Sequence, residues 1–159
     1  MVFTGTYEHA IDSKNRLAIP SEIRAQVQRQ AGTGEGEPVH LYVTLTEGQA
    51  LALYPEDAFE QRARELDEST LDADELLNYE RLFFSLARRV EIDKQGRVRL
   101  PEQLLKRTGL HSEVVLLGVK DHLEVRDRDA WLDYVQQMLA DKPELLMNPR
   151  RAMRQKGEQ

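Results

Sequence analysis

Asp12-Ser13-Lys14-Asn15-Arg16-Leu17-Ala18-Ile19-Pro20 decides the reading of this chain, because the chain contains it twice. The second copy is Asp93-Lys94-Gln95-Gly96-Arg97-Val98-Arg99-Leu100-Pro101. In both, an Asp precedes an Arg by four residues, and the Arg is followed by apolar, spacer, apolar and Pro. Asp12 and Asp93, Arg16 and Arg97, and Pro20 and Pro101 all lie 81 residues apart. That interval is far longer than the period of a solenoid. Two related modules are expected, not an array.

Each residue of the motif has a local reason. An Asp carboxylate accepts hydrogen bonds from backbone N–H groups two residues on, and Asn tolerates positive φ. Gly96 stands where Asn15 stands, and glycine is the default residue for a left-handed backbone. A left-handed residue is therefore predicted at this slot in both copies. Leu17 and Ile19 alternate with Arg16 and Ala18, which predicts a short strand with one buried face. Pro20 and Pro101 suit the first turn of a helix, so short helices are expected from Ser21 and from Glu102. Ile23 and Val27 share one helical face, and Gly109 closes the second helix.

The repeat extends outward. Phe3, Tyr7 and Ile11, broken by Gly5, predict a strand pair or one bent strand before the first motif. Residues 41–45 and 50–54, turning at Glu47 and Gly48, predict a hairpin. Residues 114–117 and 122–126, turning at Lys120 and Asp121, predict its counterpart. Leu51 and Leu123 lie 72 residues apart, nine fewer than the motif offset. The Gly-rich loop from Ala31 to Pro38 is read as an insertion of that length in the first copy. Each copy then closes on an acidic helix start, Pro55-Glu56-Asp57-Ala58-Phe59 and Asp127-Arg128-Asp129-Ala130-Trp131, with acids at the positive end of the helix dipole. Trp131, Leu132, Val135, Met138 and Leu139 carry the second of these helices onward. Between the copies, residues 71–87 predict a helix with Leu76, Leu77, Leu82, Phe83 and Leu86 as its apolar stripe, serving as core or subunit contact. From Asp141 onward, Pro143, Pro149 and basic residues read as a loosely held tail.

Bulk properties narrow the classes. The 159 residues include no cysteine, which excludes disulfides, thiolate zinc sites and cysteine nucleophiles. No apolar run approaches the roughly 20 residues of a membrane span, and no secretory signal pattern opens the chain. A cytoplasmic protein is expected. The net charge of −6 argues against a nucleic-acid partner until its distribution is examined. From Glu56 to Glu80 there are ten acidic residues against Arg62 and Arg64, which leaves the rest of the chain at +2. Basic residues gather at Lys14 and Arg16, at Arg88, Arg89, Lys94, Arg97 and Arg99, and at Arg150, Arg151, Arg154 and Lys156. Such segregation predicts a basic face opposite an acidic one.

The Asp-x-x-Gly-Arg-apolar-x-apolar-Pro pattern resembles the signature of the AbrB-like (SpoVT-AbrB) DNA-binding domain. Two such motifs, in a chain opening Gly5-Thr6-Tyr7-Glu8-His9 ahead of Asp12 and Lys14, resemble the MraZ family of bacterial transcriptional regulators over roughly residues 1–140. Asn15 departs from the family's Gly but can hold the same backbone. The resemblance implies an α+β fold with a mainly β core, a tandem AbrB-like swapped-hairpin barrel forming an internal pseudo-dimer with peripheral helices. It implies a first SpoVT-AbrB domain over residues 1–60 and acidic connecting helices over 61–87. A second such domain would cover 88–131, and a C-terminal helix with a basic tail 132–159. It also implies a ring-shaped homo-oligomer on the nucleoid. The ring would bind repeated double-stranded promoter boxes upstream of its own division and cell-wall operon, generally as a repressor.

On this reading Asp12, Asn15, Asp93 and Gly96 organise the turns, while Arg16 and Arg97 enter the major groove. A guanidinium fork can bond guanine O6 and N7 together, for about 1–3 kcal/mol of discrimination per pair. Lys14, Lys94 and Arg99 are expected at phosphates, where they add affinity but little sequence information. The acidic helices from Asp57 to Glu80 are expected to face away from the duplex. No metal, cofactor, membrane or small-molecule substrate is expected, and His9, His40, His111 and His122 lack the two-His helical spacing of a metal site.

Other readings compete. An Asp four residues before an Arg also describes a purely structural, salt-bridged turn; Lys14 and Lys94 beside the two sites favour binding. An AbrB-fold antitoxin-like or scaffold protein would act mainly through a protein partner, but would normally have one copy and a long disordered tail. An enzyme is not expected, because no Gly-rich phosphate loop, nucleophile motif or metal cluster appears.

Overall fold

Three-residue strands bury too little to persist alone, and each motif strand here is completed by the other copy. In the computed structural model, which describes residues 2–147, the first repeat comprises β1 (Thr6–Ala10), β2 (Arg16–Ala18), α1 (Ser21–Ala31), β3 (Val39–Thr46), β4 (Ala50–Pro55) and α2 (Glu56–Leu66). Next comes α3 (Ala73–Leu86). The second repeat is β5 (Arg88–Ile92), β6 (Arg97–Arg99), α4 (Glu102–Thr108), β7 (Glu113–Val119), β8 (His122–Asp127) and α5 (Arg128–Asp141). A short α6 (Glu144–Met147) follows, where only a loose tail was expected. The basic residues from Arg150 to Lys156 lie outside the described residues.

The strands cross between repeats. One six-stranded antiparallel sheet has the order β1-β7-β8-β4-β3-β5, and β2 pairs with β6 in a separate ribbon. Thus β1 adds to the second hairpin, β5 adds to the first, and β4 pairs with β8 at the centre. The strands of both repeats therefore share one compact unit, which runs to Asp127.

A pseudo-twofold relates them, and the strand register locates it. Leu17 lies opposite Val98, its own counterpart at offset 81. Ala52 lies opposite Glu124, its counterpart at offset 72. The difference between the offsets has two sources. Thr46 and Val119, which end β3 and β7, are 73 apart, whereas Ala50 and His122, which begin β4 and β8, are 72 apart. One residue therefore lies in the hairpin turn, Glu47-Gly48-Gln49 against Lys120-Asp121. The rest lies before β3, where α1 has 11 residues and α4 has 7. Part of the presumed loop insertion is an extra turn of helix. Both helices still end at a left-handed glycine, Gly32 (φ 66°) and Gly109 (φ 67°).

Strand alternation separates two cores. On one sheet face Leu41, Val43, Leu51, Leu53, Leu116, Leu123 and Val125 pack with Leu17 and Val98 of the ribbon and with Ile23, Val27 and Leu104 of α1 and α4. On the other face Ala52 and Tyr54 pack with Phe59 of α2 and Phe83 of α3. Phe59 stacks on Tyr42 at 4.2 Å and on Phe83 at 5.6 Å. The Thr44 hydroxyl donates to the Phe83 carbonyl at 2.9 Å, satisfying a buried polar pair. The predicted stripe of α3 divides: Phe83 is buried and Leu76 and Leu86 half-buried, but Leu77 and Leu82 are exposed. Helix α5 belongs to a second unit. In it Trp131 stacks on Tyr134, and none of its residues is buried.

The segment before β1 is held over the second hairpin by Phe3, which is 1% exposed and bonds Lys120 through its backbone. It runs close to Gly118: a Cβ there would lie 2.4 Å from Thr4 N and 2.6 Å from Thr4 C. Backbone cannot yield as a flexible side chain can. Gly118→Ala is expected to destabilise the fold by about 1–3 kcal/mol, the usual cost of overpacking. Denaturant unfolding, with a lowered midpoint at unchanged slope, checks this.

Candidate nucleic-acid interface

The two Asp–Arg turns are built alike. The Asp12 backbone N–H donates to the Arg16 carbonyl at 3.0 Å, and Asn15 N–H donates to the Asp12 carbonyl at 3.0 Å. Asp12 Oδ1 accepts from the N–H groups of Lys14 (2.9 Å) and Arg16 (2.8 Å). In the second turn Asp93 Oδ1 accepts from Gln95 (2.8 Å) and Arg97 (3.0 Å), and Gly96 N–H donates to the Asp93 carbonyl at 3.0 Å. Asn15 (φ 63°) and Gly96 (φ 81°) are both left-handed, as predicted for this slot. The turns are also tied across the axis: Leu100 N–H donates to the Asn15 carbonyl at 2.7 Å, and Ile19 N–H to the Gly96 carbonyl at 2.8 Å.

Backbone N–H donation from Arg16 and from Arg97 favours the ionised form of each carboxylate and holds Asp12 and Asp93 below the usual range, with partial desolvation opposing.

The ribbon presents the arginines on one side. Leu17 and Val98 are fully buried, so Arg16, Ala18, Arg97 and Arg99, which alternate with them, occupy the opposite face. Arg16 lies across from Arg99, and Ala18 across from Arg97. The side chains of Arg16 and Arg97 are 27% and 29% exposed, neither sealed in the core nor loose in solvent. Arg16 engages Asp12 Oδ2 through Nε alone, at 2.8 Å, and its Nη atoms have no partner among the described residues. Arg97 is held differently. Its Nε stands 3.6 Å from Asp93 Oδ2 and its Nη2 donates to Gln95 Oε1.

The lysines are not equivalents. Lys14 corresponds to Gln95, and Lys94 to Ser13; both lysines are exposed. Lys14, Asn15 and Arg99 line one open depression beside the first turn. Two members of the expected basic group lie elsewhere. Arg89 pairs with Glu56 at the start of α2, and Arg88 donates to the Ser85 and Ala87 carbonyls at the end of α3. The acidic α2 and α3 cover the sheet face opposite the ribbon, as the charge pattern predicted.

One cation escaped the sequence reading. Arg24 of α1 reaches the second turn, where its Nη1 lies 3.5 Å from the point a Gly96 Cβ would occupy. The repeat alignment sets Arg24 against Leu105, so no repeated signal marked it.

A sequence profile described as "MraZ protein, putative antitoxin-like" matches residues 2–78 and 83–148, one match per repeat. The chain belongs to the MraZ family. It is 32% identical over 133 residues to the transcriptional regulator MraZ of Finegoldia magna, covering 84% of this chain and 86% of that protein. The MraZ of Thermomicrobium roseum is 32% identical over 146 residues, 91% of this chain and 94% of the relative. The MraZ of Clostridium tetani is 33% identical over 135 residues, 84% and 87% respectively. Among the described residues no helix is long and apolar enough to cross a membrane.

The depressed carboxylates link the turns to acid stability. A folded pKa below the unfolded value of about 3.9 stabilises the fold above that pH, and the contribution disappears as pH falls through the folded pKa. Asp93→Asn is expected to lower stability near neutrality and to flatten the acid limb below pH 4. Thermal melts across pH 2–6 measure both; an acid limb as steep as that of the parent would contradict the linkage.

Proposed function

We propose that this chain is a sequence-specific DNA-binding transcriptional regulator rather than an enzyme. The observation that carries the reading is the common outer face of the β2–β6 ribbon, which bears Arg16, Arg97 and Arg99 on the side away from the acidic helices. A two-stranded ribbon is one of the elements a major groove admits. On this reading Arg16 and Arg97 bond guanine edges, with Arg97 exchanging its Gln95 contact for the base. Lys14, Lys94 and Arg99 contact phosphates. Asp12, Asn15, Asp93 and Gly96 preorganise the turns, so little ordering cost remains to be met on binding.

The finer assignment follows. The strand exchange between repeats supports an AbrB-like swapped-hairpin barrel acting as an internal pseudo-dimer, with SpoVT-AbrB domains over residues 1–60 and 88–131. The partner is double-stranded DNA with repeated promoter boxes, and the outcome is repression of a division and cell-wall gene cluster from the nucleoid. Few cations per chain imply weak monomer binding. A ring engaging several boxes raises affinity through effective concentration. Exposed Leu77, Tyr79 and Leu82 on α3 supply apolar surface for a subunit contact. A monomer by native mass spectrometry at micromolar concentration would reject the ring.

Footprinting on DNA immediately upstream of the protein's own gene locates the boxes. Arg16→Ala and Arg97→Ala are each expected to abolish discrimination between box and random duplex, with fold and assembly intact. Retained discrimination removes the groove-reading role. Lys14→Ala is expected to weaken all duplexes alike and to reduce the salt slope by about one; an unaltered slope speaks against phosphate contact.

A further inference from the structure

The two turns are not equally supplied with charge by their own repeats. Arg99 of the second repeat lies across the ribbon from Arg16 and beside Lys14 and Asn15, so the first turn receives a cation from the opposite repeat. The symmetry-related position is Ala18, which lies across from Arg97 and carries none. The second turn would be one cation short, but Arg24 lies there instead. It comes from α1 of the first repeat, and its guanidinium rests over Gly96.

The counterpart of Arg24 at the first turn, Leu105, carries no charge. The Arg24 Nη1 and Cδ lie 3.5 Å and 4.0 Å from where a Gly96 Cβ would stand, so the side chain rests at contact distance from the turn. At the first turn the corresponding residues are Asn15 and Leu105, which line one shallow depression together. Leu105 packs against the core, whereas Arg24 donates its backbone N–H to the Pro20 carbonyl at 2.9 Å and its side chain has no hydrogen bond or ion pair among the described residues. The nearby Asp93 carboxylate is already engaged by Gln95 and Arg97. An unpaired guanidinium, half-buried against a backbone turn that itself carries Arg97, has its charge available to an anion from outside.

We propose that Arg24 is a phosphate-contacting residue of the second turn, replacing the arginine that the first repeat lacks at Ala18. Each turn then presents three cations: Lys14, Arg16 and Arg99 at the first, and Lys94, Arg97 and Arg24 at the second. In both, the third is delivered by the opposite repeat. The inference rests on the DNA-binding reading above and adds a residue to it.

The test uses the full-length protein and two labelled duplexes, one covering DNA upstream of its own gene and one scrambled at equal length. Anisotropy titrations are run from low to high salt. Arg24→Ala is expected to weaken both duplexes by a similar factor, about three- to tenfold near physiological salt, and to reduce the salt slope by about one. Arg24→Lys is expected to retain the slope. Arg29→Ala, farther along the same helix, is the control for general charge loss and should change little. Ala18→Arg in the Arg24→Ala background is expected to restore the slope, because it rebuilds the position that Arg99 occupies in the other repeat. Unchanged affinity and slope in Arg24→Ala, with Arg97→Ala still abolishing discrimination, overturns the role of Arg24 and leaves the groove reading intact. Unchanged behaviour in both variants removes the groove reading as well. A lowered Tm in Arg24→Ala, with binding not restored by Arg24→Lys or Ala18→Arg, makes the side chain a structural cover for Gly96 and overturns the proposal.

Discussion

The antiparallel pairing of β2 with β6 is the constraint on which the candidate interface depends. Each strand has three residues, and neither has a partner within its own repeat. Pairing them satisfies their backbone groups, buries Leu17 and Val98 at the axis, and fixes Arg16, Arg97 and Arg99 to the outer face in one step. The cross-axis bonds from Ile19 to Gly96 and from Leu100 to Asn15 extend the ribbon into the turns. The orientation of each arginine is thus set by the other repeat's strand as much as by its own Asp.

The sheet adds a second consequence. Its two faces are buried against different partners, the ribbon with α1 and α4 on one side and α2 with α3 on the other. Because side chains alternate along β4, Leu51 and Leu53 serve the first face and Ala52 and Tyr54 the second. The acidic run on α2 and α3 is thereby kept on the far side of the sheet from the basic ribbon, more than one layer spacing of about 10 Å away. At physiological salt that distance exceeds the screening length of about 8 Å. A chain of net negative charge can therefore carry a locally positive edge.

Near-symmetry leaves room for difference between the turns. Asn15 and Gly96 hold the same backbone, but a guanidinium, that of Arg24, lies against Gly96, whereas the counterpart of Arg24 at Asn15 is the apolar Leu105. Gln95 stands where Lys14 stands, and it occupies Arg97 Nη2 where the Arg16 fork is open. The two turns share a geometry but not an identical donor arrangement.

Much of the frame was legible in the residues. The offsets of 81 and 72 name which residues are counterparts; the strand register then sets Leu17 opposite Val98 and Ala52 opposite Glu124. Left-handed Asn15 and Gly96, the helix starts after Pro20 and Pro101, and the acidic helices opposite the ribbon follow from local chemistry and charge pattern. Sequence determines such features because they depend on near neighbours or on period. Tertiary structure alone decided the rest. It set Arg88 and Arg89 on helix ends and acids, divided the α3 stripe between Phe83 inside and Leu82 outside, and converted part of a presumed loop into an extra turn of α1. It also brought Arg24 to Gly96, 72 residues away along the chain. A repeat pattern records which positions are equivalent. It does not record which unlike positions meet, because such contacts depend on how far a side chain on one element reaches toward an element of the other repeat.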